Sequence, residues 1–163
     1  MKKTKLTLFV TVLAVALFGV GGCASITVTP IDSNVVADIG ILKEGGKLAH
    51  NRDYFFTKIP KELEGLNFVR MEVLKNGQYR YNASAKCKAY VFFENHPQAQ
   101  PEIARKELVS TGWKETEYTL TYTPGQITFF VFEKVIPKGQ HLMKSKGSWP
   151  YMLGSRIPMS IKR

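Results

Sequence analysis

The chain has 163 residues, of which 44% are hydrophobic and 12% aromatic, enough for one domain with a real core. Its 23 Lys and Arg against 13 Asp and Glu give a formal charge of +10, yet no five basic residues run together. Solvated strand faces and edge protection account for lysines scattered in this way, and a nucleic-acid partner is not expected. The two cysteines form no CxxC, which excludes a zinc knuckle and a redox dithiol motif.

Lys2, Lys3 and Lys5 precede residues 6–22 (LTLFVTVLAVALFGVGG), which carry no charge. A basic start, an apolar core of roughly 7–15 residues and small residues after it describe an export signal. A membrane-spanning helix needs about 20 apolar residues, and this core is shorter and ends in glycines. Val20-Gly21-Gly22-Cys23 resembles the lipobox of bacterial lipoproteins, with Val20 standing where Leu is commoner. The resemblance implies a diacylglycerol on the Cys23 sulfur, cleavage before Cys23, and further acylation of the freed amine. Two or three chains at about 0.8 kcal/mol per buried CH₂ hold a small domain firmly on a bilayer. Ala24, not Asp, follows the cysteine, which in the Gram-negative sorting pattern implies the outer membrane. Without the three signal lysines, 20 basic residues face 13 acidic ones, a formal +7. The expected organisation is a signal peptide over 1–22, a lipidated cysteine and tether over 23–34, and one domain over 35–163.

Residues 24–34 are rich in Thr, Ser and Pro and read as a tether able to pair as a first strand. Residues 35–42 (VVADIGIL) form a strand candidate, and Gly45-Gly46 turns the chain. Residues 51–59 are β-prone and stop at Pro60. Residues 66–74 (LNFVRMEVL) break parity, which predicts a bulge near Arg70. Asn76-Gly77 is a strong hairpin signal, so residues 78–82 are expected to pair back on that strand. Residues 86–94 hold the most core-like run, Ala89-Tyr90-Val91-Phe92-Phe93, and open with Cys87, expected as a buried thiol. Residues 101–108 (PEIARKEL) predict a helix of about two turns, taken as a loop decoration. Residues 116–123 and 127–136 flank Pro124-Gly125 and predict a second hairpin. Strands near 140–144 and 149–157 complete the series. Short strands separated by turn signals predict an all-β fold, a single β-sandwich of jelly-roll-like or Ig-like type.

Asn51-Arg52-Asp53-Tyr54 with Ile59-Pro60-Lys61-Glu62-Leu63-Glu64-Gly65, then Thr111-Gly112-Trp113, then Phe130-Val131-Phe132-Glu133-Lys134 and Pro137-Lys138-Gly139, resemble a small β-sandwich module of secreted bacterial proteins. The resemblance covers roughly residues 45–158. It implies an accessory or binding role of the kind that accompanies glycoside-active or other exported enzymes. With no catalytic domain beside it here, such a role is expected to act in trans or through the anchor. The residues have fold-specifying uses as well. Asp53 can satisfy turn amides, Pro60 ends a strand, and Gly65 permits a positive φ.

Catalytic chemistry finds little support. His50, His96 and His141 fall in separate segments without metal-ligand spacing, so no metal and no cofactor are expected. Leu153-Gly154-Ser155-Arg156 lacks the second glycine of a nucleophile elbow. Glu62 and Glu64 are two apart beside Gly65, where carboxylates are usually solvated and not poised across a sugar. Aromatic residues occupy nearly every expected strand. Because strand neighbours alternate faces, one ring of each pair such as Phe129-Phe130 must enter a second interface or be exposed. The sharpest candidates for stacking on a ligand are Trp149, Trp113 and Tyr151, beside turns. Trp113 is expected to cap the core, carried there by a turn or bulge because its parity differs from that of Tyr118, Leu120 and Tyr122, and Trp149 is expected to be the more exposed ring. The expected function is that of a membrane-anchored extracytoplasmic lipoprotein with a non-catalytic binding or envelope accessory role, its partner a glycan or a protein. A structural or assembly lipoprotein and a polysaccharide hydrolase are the alternatives.

Overall fold

A computed structural model describes residues 24–31, 36–72, 78–144 and 151–162. The strands in chain order are β1 (Ile26–Pro30), β2 (Ala37–Ile41), β3 (Phe55–Lys58), β4 (Asn67–Met71), β5 (Tyr79–Ala83) and β6 (Cys87–Glu94). A 3₁₀ turn (Pro97–Ala99) and helix α1 (Pro101–Ser110) follow. Then come β7 (Lys114–Thr123), β8 (Ile127–Ile136), β9 (Gly139–Met143), β10 (Met152–Ser155) and β11 (Met159–Ile161). They form a β-sandwich. One sheet has the order β11-β1-β5-β9, the other β2-β4-β10-β6-β8-β7-β3. Every pairing is antiparallel except β1 with β11.

The main core fills the space between the sheets. Ile26, Val28, Tyr79 and Tyr81 of the smaller sheet meet Val69, Val91, Phe93, Phe132 and Leu153 of the larger one. A second core covers the other face of the larger sheet, where Phe68, Tyr90, Phe92, Phe129 and Val131 pack under Leu42, Leu48, Phe56, Leu63 and Leu66. Two backbone bonds tie this cover down, Leu42 N–H to Leu66 O and Gly65 N–H to Leu42 O, both 2.8 Å. The central strands are therefore buried on both sides, which is why β6 reads as an unbroken apolar run. Phe92 faces the second core and Phe93 the first. Phe129 and Phe130 divide in the same way, with the Arg105 guanidinium 3.7 Å over the Phe130 ring.

Three expectations are corrected. First, β4 and β5 lie in different sheets, so the strands on either side of Asn76-Gly77 form no hairpin; those two residues lie outside the described ones. Second, β4 runs in unbroken register against β2, with no bulge at Arg70. Its broken parity reflects burial on both faces, Phe68 in one core and Val69 and Met71 in the other. Third, α1 is no decoration: Ala104 and Leu108 enter the main core, and Arg105 clamps the helix to β7 through Glu115 (2.6 Å). Within the segment read as a tether able to pair as a first strand, Ile26–Pro30 does pair, with β5.

Two glycines allow rings to lie flat over the larger sheet. A Cβ on Gly154 would stand 2.7 Å from Phe92, and one on Gly40 would stand 2.7 Å from Phe68. No real Cβ tolerates that distance, so both positions require the absence of a side chain. Ser155 is fully buried, and its hydroxyl donates to Lys88 O (2.9 Å), a structural use of the group.

Candidate functional site

A groove of about 270 Å³ opens where the end of α1 meets the β9 edge of the smaller sheet. Its construction starts at the helix C-terminus. Gly112 adopts a φ of +85°, its N–H reaches Val109 O (3.0 Å), and Trp113 N–H reaches back to Leu108 O (3.0 Å). This pair of bonds is a Schellman motif, which needs a left-handed residue and joins the apolar side chains on either side of it. Leu108 and Trp113 duly share the main core. Thr111-Gly112-Trp113 is therefore a helix stop that drives an indole inward.

Trp113, Tyr81 and Tyr151 floor the groove, and Glu107, Lys134 and His141 stand around them. Lys134 Nζ donates to Thr111 O at 2.6 Å and lies 5.9 Å from the Trp113 ring centre. The Tyr151 hydroxyl donates to Glu107 Oε2 (3.0 Å). The half-buried His141 ring stacks on Tyr81, centroids 5.0 Å apart, with Nε2 2.9 Å from Pro137 O. Trp113 is 6% exposed and Tyr151 1%. Their rings are packed inward, Tyr151 edge-on to Phe93 at 5.0 Å, so neither presents an open face for stacking as expected. His141 is the more accessible ring, and sequence reasoning missed it because a lone histidine carries no motif. Trp149 lies outside the described residues.

Other polar groups are accounted for structurally. His96 Nδ1 caps the 3₁₀ turn by accepting from Gln98 N–H (3.3 Å). His50 Nε2 sits 3.2 Å from Asp38 Oδ1, poorly aligned for a hydrogen bond. Arg70 binds Asp38 with both ends of its guanidinium. Burial alone would raise the Asp38 carboxyl; the Arg70 hydrogen bonds and the His50 and Arg70 charges outweigh it and hold the pKa below the usual range. The three histidines do not converge, and among the described residues no group of three His, Cys, Asp or Glu could hold a metal ion. Glu62 and Glu64 are exposed, while Arg156 grips their carbonyls at 2.6 and 2.9 Å. Cys87 is half-buried, not fully buried as expected, because it opens β6 at the end of the sheet; burial pushes its thiol pKa up.

Glu94, like His50, has a buried polar atom left over; it is an acid 1% exposed at the end of β6. Its Oε1 accepts from the Tyr122 hydroxyl (2.5 Å), and Oε2 has no partner among the described residues. Burial raises its pKa, against smaller opposing effects of the Tyr122 hydrogen bond and the nearby His96. The sign of the consequence is fixed. Above the ordinary value near 4.5 the unfolded chain loses this proton first, so Glu94 makes stability fall as pH climbs toward the raised folded pKa. Glu94→Gln should remove that slope and gain on the parent between pH 5 and pH 8 in urea melts. An equal difference at both pH values would mean that Glu94 does not titrate in this way.

No family model and no curated protein matches the chain. Among solved structures it is similar to a β-glucuronidase from glycoside hydrolase family 2, with a TM-score of 0.59 at 15% sequence identity. The match covers 78% of this chain and 14% of that one. At this identity the likeness is one of fold, that of a β-sandwich.

Proposed function

We propose that the chain is a lipid-anchored, extracytoplasmic, non-catalytic module that binds a glycan in the groove beside β9. The observation that carries this is the groove itself: an aromatic floor with one accessible ring, His141, set among Lys134, Glu107 and Thr111. A sugar can stack on one such ring while its hydroxyls reach the polar groups around it. The fold it shares with part of a glycoside hydrolase supports a carbohydrate context. The anchor rests on Val20-Gly21-Gly22-Cys23. The proposed attachment is the acyl chains on Cys23, with the outer membrane as the proposed site. The hydrolase alternative gains nothing from Glu62 and Glu64, which are exposed in a turn.

Each half has its own test. Cellohexaose, xylohexaose and chitohexaose titrated into the purified protein should change Trp fluorescence for at least one sugar, and His141→Ala should weaken that binding at least tenfold. Absence of binding at millimolar sugar, or an unaffected variant, would remove the groove as the site. Separately, Cys23→Ser should move the protein from the membrane fraction to the soluble fraction. Retention in the membrane would rule out an anchor at this residue.

A further inference from the structure

The outer face of the smaller sheet is a second candidate surface, distinct from the groove. Register places its side chains in two rows. Ser160, Thr27, Asn82 and Gln140 lie side by side on β11, β1, β5 and β9. Thr29, Arg80 and Leu142 form the next row, with Lys162 just beyond β11. At about 4.8 Å between strands the rows are roughly 14 Å wide, and they stand about 6.7 Å apart. Thr27, Thr29, Arg80, Asn82, Gln140 and Lys162 line an open depression of about 450 Å³.

Charge sets this face apart. The chain has 13 acidic residues, and none falls in β1, β5, β9 or β11. Four ion pairs elsewhere occupy Lys47, Arg70, Lys88 and Arg105. Arg80 and Lys162 have no acidic partner among the described residues. The remaining groups are hydroxyls and amides, each able to donate and accept, as sugar hydroxyls do. A guanidinium binds a carboxylate through two parallel hydrogen bonds. Single-stranded nucleic acid would need exposed rings for its bases, and the aromatic side chains of β5 are buried on the opposite face. A lipid surface would need a continuous apolar patch, and the large exposed apolar side chains here are Leu142 and, just past β1, Ile31.

We infer that this face binds an acidic polysaccharide, with Arg80 and Lys162 on its carboxylates and Thr27, Asn82 and Gln140 on its hydroxyls. The proposal goes beyond the groove and does not depend on it, because His141→Ala leaves these residues in place. The probe is polygalacturonate, compared with the fully methyl-esterified polymer by affinity electrophoresis and calorimetry on the full-length protein in detergent. Polygalacturonate should bind at least tenfold more tightly than the ester and weaken as NaCl rises. The double variant Arg80→Gln, Lys162→Gln should lose at least tenfold while its melting temperature is kept. Lys61→Gln, Lys106→Gln removes the same charge from exposed positions elsewhere and should bind as the parent does. Equal binding of the ester, an unaffected Arg80/Lys162 variant, or equal loss in the Lys61/Lys106 variant would each overturn the proposal. So would tighter binding to oligo-dT or to phosphatidylglycerol vesicles.

Discussion

Trp113→Ala should destabilise the domain by about 3–5 kcal/mol, the range for truncating a large buried aromatic. Two effects combine at this position. The indole fills the main core beside Leu108, and it secures the Schellman motif that ends α1, whose backbone bonds from Gly112 and Trp113 satisfy helix carbonyls. Losing the ring removes the apolar contact that keeps this stop closed. The helix would then hold the Arg105–Glu115 pair less firmly as well. The urea midpoint should fall with the slope unchanged, and Tm should drop by roughly 10 °C or more. A loss under about 1 kcal/mol would mean that the ring is held loosely, as a ligand platform would be.

Phe92→Ala should cost a similar amount, about 3–5 kcal/mol, and so should Phe93→Ala. The pair is informative because the two rings point to opposite faces of one strand. In a two-layer sandwich with one wet face, one of them would be exposed and cheap to remove. Here Phe92 is fully buried, lying over Gly154 beneath the segment that carries Leu42, Leu63 and Leu66. Phe93 meets Tyr151 in the main core. Val135, 55% exposed on β8, supplies the comparison, and Val135→Ala should stay within about 0.5 kcal/mol. Equal small losses for Phe92→Ala and Val135→Ala in urea titrations would show that the second core is not packed.

The β-sandwich was legible because its local signals agree. Pro124-Gly125 between two β-prone runs does mark the β7–β8 hairpin. The paired aromatics called for either a second interface or an exposed ring, and Phe92 and Phe129 enter a second core. The failures share one cause, which is that sheet membership is decided by distant contacts. Asn76-Gly77 is a strong local signal, yet β4 is committed to β2 and β10 by burial on both its faces, and β5 to β1 and β9. The three residues of β11 were too few to register as a strand, and their parallel pairing with β1 has no local signature. Of the site, Trp113 was visible through its turn. His141 gains its place from Tyr81, sixty residues earlier in the chain, and Arg80 and Lys162 meet only through the register of the smaller sheet. Counting basic residues along the chain treats them as scattered, which conceals an acid-free face.

The pairing of β1 with β11 bears on how the molecule assembles. Thr27 and Ser160, joined at 3.5 Å, are 133 residues apart. Contacts that far apart in sequence form late, because closing the intervening loop costs entropy before any contact repays it. On one flank β1 can find β5 once about eighty residues have been made. Its other flank stays an open edge, with free N–H and C=O groups, until β11 arrives. The first and last strands among the described residues thus complete the same sheet, and β1 keeps an adhesive rim for as long as β11 has not docked.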